Sequence, residues 1–137
     1  MRAGSVYLDS GAFIAFLDRS DQHHEVALGL FGDPPARWCT SLAVVSETYG
    51  WLLHRLGEPE ARTFRMLLDA LPRLELVALD RAAHDAVRAK LDKHRGHKLT
   101  YVDAVGLVVL QQRRIRAVWG TDQDLAIEGA RVLPGGR

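Results

Sequence analysis

The sequence predicts an α/β fold built around a parallel β-sheet. Short β-prone runs alternate with longer segments of helical periodicity along the chain, a pattern typical of right-handed β-α-β units. The first run, Val6 to Leu8, is apolar at every position, which favours a central strand buried on both faces. Because 47% of the 137 residues are hydrophobic, the chain can form one proper core. We therefore expect a single domain over residues 1–137.

The elements follow one another in a regular order. Strands are expected at residues 6–8, 38–40, 74–79, 117–119 and 131–133. Helices are expected at residues 12–17, 21–31, 42–56, 59–71, 81–93 and 99–113. Asp21 and Asp80 are expected to cap the second and fifth of these helices. The helix over 42–56 should pack through an apolar stripe formed by Leu42, Val45, Leu52 and Leu56.

Composition excludes several classes of protein. No apolar run approaches the roughly 20 residues that a membrane-spanning helix needs, and no apolar signal core follows Met1. Cys39 is the only cysteine, so an internal disulfide is excluded. These features predict a cytoplasmic protein that does not associate with a membrane.

The net charge of +1 conceals an uneven distribution. Residues 81–116 hold nine Lys/Arg against three acids, whereas residues 1–80 hold seven Arg against eleven acids. Such a division suits a protein that binds cations in one place and a polyanion beside it, although a solvated basic helix face would look the same.

Four carboxylates lie where an isolated charge would be costly. Asp9 follows the strand 6–8 and Asp122 follows the strand 117–119, and ligands bind at the carboxyl ends of the strands in open α/β sheets. Asp103 lies in the first turn of a helix that is apolar around nearly its whole circumference, which indicates burial. Glu47 lies opposite the apolar stripe of its helix and is therefore free to point into a cleft.

Each of these acids also has a purely structural interpretation. Asp9 or Asp103 can stabilise a helix start, Asp122 can form a turn, and Glu47 can be a solvated helix residue. Their convergence in one fold favours a cation site, because two carboxylates about 5 Å apart repel by roughly 3 kcal/mol at an effective dielectric near 20. A ligand set made only of oxygens suits Mg²⁺ or Mn²⁺.

The segments around these acids carry a resemblance to a known family. They are Val6-Tyr7-Leu8-Asp9-Ser10, Val45-Ser46-Glu47-Thr48, Thr100-Tyr101-Val102-Asp103-Ala104 and Gly120-Thr121-Asp122-Gln123-Asp124-Leu125. In order and spacing they resemble the four acidic motifs of PIN domains, as found in VapC toxins, over almost the whole chain. One departure is Leu125, where the family often has Phe. Asp122 and Asp124 compete for the fourth ligand position, and we favour Asp122 because it lies three residues before Leu125.

The resemblance implies a three-layer α/β/α sandwich with a mainly parallel five-stranded sheet, and cleavage of RNA by a Mg²⁺- or Mn²⁺-dependent endonuclease. Asp9, Glu47 and Asp103 would hold the ion that activates a water molecule, and Asp122 would complete its shell or hold a second ion. The hydroxyls of Ser10 and Thr121 could donate hydrogen bonds to these acids. The implied partners are RNA, a VapB-like antitoxin that inserts a segment into the acidic cleft, and a second copy of the chain in a homodimer.

A basic loop follows the helix predicted over 81–93. Arg95 and Lys98 are expected to hold the RNA backbone near Asp103, because cations that neutralise phosphates provide most of the affinity for nucleic acid. His94 and His97 lack a cysteine or a third histidine nearby, so a zinc site is not favoured there.

Two other functions fit parts of the pattern. A receiver-like or phosphatase-like α/β domain also places acids beyond strand ends, but Asp9-Ser10-Gly11 lacks the second aspartate two residues on that aspartyl-phosphate phosphatases use. A catalytically silent PIN fold that serves only as an interaction module is the second alternative, and the presence of all four acids argues against it.

Overall fold

The computed structural model describes residues 4–134, which form a five-stranded sheet with helices on both faces. The strands are β1 (Ser5–Leu8), β2 (Arg37–Ser41), β3 (Glu75–Val77), β4 (Ala117–Gly120) and β5 (Arg131–Pro134). The helices are α1 (Ser10–Leu17), α2 (His24–Gly32), α3 (Leu42–Arg55), α4 (Glu58–Ala70), α5 (Arg81–Lys93) and α6 (Tyr101–Arg113), with a 3-10 helix at Gln123–Ala126. Residues 1–3, on which the expectation about a signal core partly rests, lie outside the described residues.

The strand order is β3-β2-β1-β4-β5, and every adjacent pair is parallel. The chain runs outward from β1 through β2 to β3 and then returns past β1 to β4. Right-handed connections place α1 to α4 on one face of such a sheet and α5 and α6 on the other. The packing agrees, since α1 contacts α2, α3 and α4 while α5 packs against α6. The predicted α/β sandwich with a parallel five-stranded sheet is confirmed.

The core lies on both faces of β1. Val6, Tyr7 and Leu8 are completely buried, as the uninterrupted apolar run predicts. On one face an aromatic cluster fills the space between the sheet and the helices, and its members are Phe13, Phe16, Phe31, Phe64, Trp38 and Trp119. On the other face α6 is buried from Asp103 to Leu110, as its apolar circumference predicts.

Helix starts are fixed by local hydrogen bonds. Asp80 Oδ1 accepts from the backbone N–H of Ala83 at 2.9 Å, so the predicted cap of α5 is confirmed. The predicted cap of α2 by Asp21 is wrong, because the helix begins only at His24. Asp21 Oδ1 instead accepts from the backbone N–H of His23 at 2.8 Å. Its side chain therefore closes the turn before the helix rather than the first helical turn.

The packing face of α3 differs from the expected stripe. Leu42 is 47% exposed and Leu56 is 37% exposed, whereas the buried residues are Val44, Thr48 and Leu52, spaced by four. The helix follows β2 without a loop, since Ser41 both ends the strand and caps the helix. The end of β2 therefore sets the rotation of α3, and the leucine periodicity does not.

The strand β3 is shorter than the six residues expected at 74–79. Within residues 4–134 it is an edge strand that pairs only with β2, and the ladder ends where Ser41 is matched with Val77. Because β2 turns directly into α3 after Ser41, the residues after Val77 have no strand to pair with. None of the described helices combines the length and apolar composition that crossing a bilayer requires.

Candidate metal centre

Two of the predicted acids, Asp9 and Asp122, follow β1 and β4 at the carboxyl edge of the sheet. Asp9 follows β1 and its backbone N–H donates to the carbonyl of Trp119 at 2.9 Å. Thr121 and Asp122 follow β4. The chain leaves β1 toward one edge of the sheet and β4 toward the other. A crevice at such a switch point is the usual ligand site of open α/β folds.

Asp9 is a buried acid that does not cap its helix. It occupies the position before α1, but its side chain makes no capping hydrogen bond, and it is only 4% exposed. The side chain lies against Gly120, where an added Cβ would be 3.0 Å from the Cβ of Asp9. Burial raises the pKa of Asp9 most, and the charges of Asp103, Glu47 and Asp122 add to the effect against a hydrogen bond from the Ser10 backbone, so that the pKa reaches about 7.

Asp103 both caps the start of α6 and lies beside the other acids. Its Oδ2 accepts from the backbone N–H of Thr100 at 3.0 Å, and Thr100 Oγ1 accepts from the backbone N–H of Asp103 at 3.1 Å. This reciprocal pair is a capping box at the start of α6. The structural interpretation of Asp103 is therefore correct, and it does not exclude a ligand role, because a carboxylate offers about four lone-pair sites.

Asp122 and Asp124 both lie beside Asp103, so both are candidates for the fourth ligand position. One carboxylate oxygen from each of the three acids lies within 4.8 Å of the other two. Asp122 Oδ1 accepts from the backbone N–H of Asp124 at 2.9 Å, which closes the turn into the 3-10 helix. Burial, followed by the charges of Asp122 and Asp103, raises the pKa of Asp124 to about 6. We call Asp103, Asp122 and Asp124 the acidic triad.

Asp9 and Glu47 lie next to the acidic triad rather than within it. Neither belongs to the set of oxygens that share the 4.8 Å separation. Glu47 is an exposed residue of α3, yet its charge contributes to the raised pKa of Asp9 and of Tyr7. Of the four expected acids, the structure thus brings Asp103 and Asp122 to ligand separation, together with Asp124, and leaves Asp9 and Glu47 in electrostatic range.

The donor set suits a divalent cation. Three carboxylates at this separation repel one another by about 3 kcal/mol per pair at an effective dielectric near 20, unless a cation or bound protons neutralise them. All the candidate donors are carboxylate oxygens, which suit Mg²⁺ or Mn²⁺ better than metals that prefer nitrogen or sulfur. Burial and the neighbouring carboxylates raise the pKa values of Asp9 and Asp124, and a bound cation would lower both by favouring the charged forms.

Two side-chain hydrogen bonds that the sequence did not predict stabilise the carboxyl edge of the sheet. Thr40 Oγ1 donates to the carbonyl of Leu8 at 2.7 Å, and Tyr7 Oη donates to Ser41 Oγ at 3.0 Å. Thr40 and Ser41 are completely buried. In the sequence, the polar pair Thr40-Ser41 at the end of a strand indicates such bonds. These bonds hold Tyr7 and Leu8, the two residues before Asp9, in position.

The two hydroxyls expected to support the acids lie nearby without bonding to them. Among the described residues, the side chains of Ser10 and Thr121 make no hydrogen bond to an acidic side chain. Thr121 instead packs against Gly11, where an added Cβ would clash with the Thr121 side chain and lie 2.8 Å from its backbone nitrogen. Gly11 therefore permits the close approach of α1 to the loop that carries Asp122.

Glu128, which was not among the predicted site residues, forms ion pairs with residues at the start of the basic loop. Arg95 and Lys98 are exposed, but Lys93 Nζ and His94 Nε2 lie 3.2 Å and 2.7 Å from Glu128 Oε2. Lys90 Nζ lies 2.7 Å from Glu128 Oε1. Burial opposes the charge of Glu128, but these three partners outweigh it and lower its pKa to about 2. The contacts join α5 to the segment that follows the acidic triad.

The chain is thus a parallel α/β sandwich with carboxylates gathered near its switch point. The chain belongs to the PIN domain family, whose model matches residues 6–127. A comparison with curated protein sequences finds no match.

Solved structures show the same fold at low sequence identity. Mycobacterium tuberculosis VapC20, a toxin that cleaves the sarcin–ricin loop, matches 92% of this chain and 96% of its own with a TM-score of 0.85 and 21% identity. DNA-bound VapBC from Salmonella typhimurium matches 96% of this chain and 97% of its own, with a TM-score of 0.62 and 20% identity. VapBC-5 from M. tuberculosis, of the VapBC toxin–antitoxin family, matches 98% of each chain with a TM-score of 0.56 and 21% identity.

Proposed function

We propose that this chain is a Mg²⁺- or Mn²⁺-dependent endoribonuclease and the toxin of a VapBC-type toxin–antitoxin pair. The observation that carries the proposal is the convergence of Asp103, Asp122 and Asp124 within 4.8 Å, with buried Asp9 in electrostatic range. Membership of the PIN domain family and the shared fold of VapC20 support it.

The chemistry requires a cation that these residues are suited to hold. A divalent ion in the acidic triad would offset the charge of a phosphodiester and make a water molecule nucleophilic near neutral pH. Asp103, Asp122 and Asp124 would hold this ion, and Asp9 and Glu47 would complete its shell or hold a second ion. Asp103 is positioned by its bonds with Thr100, and Asp122 by the turn that its Oδ1 closes.

The proposed partners follow from the relatives. VapBC assemblies share this fold, so we propose that a VapB-like antitoxin binds this chain by inserting a segment into the acidic cleft, and that two copies of the chain form a homodimer. The RNA backbone contacts Arg95 and Lys98, whose exposed side chains remain available beside the Glu128 contacts.

Loss of single acids tests the nuclease directly. Total cellular RNA is incubated with the protein and Mn²⁺, and new 5′ ends are mapped. We expect Asp9→Asn and Asp103→Asn to reduce cleavage by about 100-fold or more, because Asn keeps the shape and removes the charge that the ion requires. Asp80→Asn is the matched control, since the same chemical change at the cap of α5 lies outside the site and should leave cleavage within about twofold.

Two results would contradict the metal mechanism. One is cleavage that persists in excess EDTA, and the other is cleavage at the wild-type rate by both Asp9→Asn and Asp103→Asn. A wild-type protein that binds Mn²⁺ and an antitoxin but never cleaves RNA would instead favour the alternative, a catalytically silent interaction module.

A further inference from the structure

A groove of about 520 Å³ lies between α5, the C-terminal half of α6 and the segment that follows the 3-10 helix. Its floor is apolar and closely packed, and the four residues that form it, each at most 7% exposed, are Leu107, Leu110, Ile115 and Leu125. Its rim is basic and carries Lys90, Lys93, Arg114 and Arg116, with Glu128 as the acid among the lining residues. We call this the basic groove.

The rim retains positive charge after its internal contacts are made. Lys90 and Lys93 share Glu128, at 2.7 Å and 3.2 Å. The guanidinium groups of Arg114 and Arg116 make no ion pair or hydrogen bond within residues 4–134, whereas the neighbouring Arg113 is bound by Glu75 at 2.6 and 2.9 Å. A concave surface with unneutralised arginines attracts a polyanion more strongly than a flat one does.

Arg114 occupies a backbone conformation that favours glycine. Its φ of 55° and ψ of 43° are left-handed, at the residue that ends α6. Glycine adopts this conformation at helix ends without steric conflict and is the usual residue there. With arginine in this position, the helix end carries a strained residue whose side chain lines the basic groove.

The basic groove and the acidic triad share one face of α6. Asp103, Leu107, Leu110 and Arg114 follow at intervals of four, three and four residues, so they lie along one side of the helix. With a rise of 1.5 Å per residue, Arg114 lies about 16 Å along the axis from Asp103. Leu125, in the floor, directly follows Asp124. This side of α6 is buried between them, so a strand that contacts both sites passes over the partly exposed residues 126–129, which follow the triad and lead to the basic groove.

We propose that the basic groove binds the phosphate backbone of an RNA strand a few nucleotides away from the acidic triad. The inference rests on the proposed function for its ligand, because the polyanion cleaved at the triad is the one that this face would meet. The apolar floor accommodates the sugar and base that separate two phosphates, and Arg114 and Arg116 neutralise the phosphates.

Binding measured without cleavage tests the groove. Fluorescence anisotropy of a labelled single-stranded RNA is followed in EDTA at several salt concentrations. We expect the double variant Arg114→Glu/Arg116→Glu to bind at least about tenfold more weakly, and the slope of log K against log salt to fall by about 0.7 for each phosphate that the protein no longer neutralises. The matched control Arg62→Glu/Arg65→Glu makes the same charge change at exposed residues of α4, on the opposite face of the sheet, and should bind within about twofold of wild type.

A second variant separates binding from folding. Arg114→Gly relieves the left-handed strain, so its melting temperature should equal or exceed that of the wild type while its RNA affinity falls. In cleavage assays it should raise KM and leave kcat unchanged, because the guanidinium is remote from the reacting atoms. If Arg114 only complements the C-terminal dipole of α6, Arg114→Gly lowers the melting temperature and RNA affinity stays at the wild-type value.

The outcomes distinguish this inference from the proposed function. RNA cleavage by the wild type together with unchanged binding by both groove variants would overturn the groove alone. Weakened binding by the groove variants without any cleavage would support the groove and contradict the nuclease. An equal loss of affinity in the groove and α4 variants would overturn the proposal. Displacement of the RNA from the groove by poly-glutamate at matched charge would also overturn it, and would assign the groove to an acidic protein.

Discussion

Asp9 is held where its charge is costly and where no helix cap uses it. Its side chain is buried against Gly120 and lies in range of three other acids. A residue placed in this way destabilises the metal-free fold once it is ionised, and a bound cation removes that penalty. Ionisation of Asp9 should therefore make the free energy of unfolding depend on pH.

The free energy of unfolding of metal-free protein should fall as the pH rises. The folded-state pKa of Asp9 is about 7, against an ordinary value of 3.8. Between these values the folded state binds more protons than the unfolded chain, so stability declines from about pH 4 to about pH 7 and does not recover above it, with a slope of about 1.4 kcal/mol per pH unit. Asp124, with a pKa of about 6, adds to the lower part of the same window.

Asp9→Asn should flatten this decline, because Asn does not ionise. The slope is measured by chemical denaturation from about pH 5 to about pH 8 in metal-free buffer. Glu128 does not contribute in this range, because its pKa is 4.5 in the unfolded chain and about 2 in the folded protein. Asp80→Asn should retain the wild-type slope. Identical slopes in wild type and Asp9→Asn would show that Asp9 remains ionised throughout.

The sequence identifies the candidate acids better than it predicts how they are arranged. Asp9 and Asp103 stand out because one follows an apolar strand and the other begins an apolar helix. The joint placement of Asp122 and Asp124 depends on a turn in which one side chain bonds the other's backbone, which spacing alone does not show. Glu128 is separated by more than thirty residues from Lys90, Lys93 and His94, so only the tertiary fold brings them together.

At the scale of elements, the site depends on how closely α1 approaches the loop after β4. Gly11 makes this approach possible, because an added Cβ would clash with the Thr121 side chain and lie 2.8 Å from a backbone atom. A flexible side chain could move aside, but a backbone contact forces the loop itself to shift. That loop carries Asp122, so a change in packing here reaches the acidic triad.

Gly11→Ala should destabilise the protein by roughly 1–3 kcal/mol and weaken its response to Mn²⁺. Gly29→Ala is the matched control, since Gly29 also lies in a helix but has open space around it, and alanine there should stabilise by about 0.5–1 kcal/mol. Thermal melts with and without Mn²⁺ compare the two. A Gly11→Ala protein with wild-type stability and metal response would mean that the close approach is not needed.

Elements with strong periodicity are predictable, and elements whose limits are set by neighbours are less so. The apolar strand 6–8 and the apolar helix that holds Asp103 are predicted by their patterns of apolar residues, and both are buried. The rotation of α3 was not, because Ser41 joins it to β2 without a loop. The length of β3 depends on where its only partner strand ends, a long-range property that local sequence does not encode.

At the scale of the whole molecule, the fold separates two kinds of charge. The carboxyl edge of the sheet gathers acids from β1, α6 and the loop after β4, while α5 and the C-terminal end of α6 carry the basic residues of the groove. This division in space does not follow the division along the sequence, because the acidic triad lies in residues 103–124 and not in the acidic residues 1–80. On the proposed function, the acids would hold a cation and the basic groove would bind a polyanion.

The central claim is that the acids form one divalent cation site, and thermal melts with increasing Mn²⁺ test it most directly. A cation that binds only the folded state stabilises it by RT ln(1 + [L]/Kd), or about 2.7 kcal/mol at a hundredfold excess over Kd. We expect wild type and Asp80→Asn to melt at rising temperature as Mn²⁺ is added. Asp103→Asn should gain little.

Without metal, Asp103→Asn should melt no lower than wild type, because Asn still accepts from Thr100 and one repelling charge is gone. The loss of the charge at the helix start costs about 0.3–1 kcal/mol, less than the roughly 3 kcal/mol of repulsion relieved for each neighbouring carboxylate. Equal Mn²⁺ responses in wild type and Asp103→Asn would contradict the cation site and leave Asp103 as a helix cap alone.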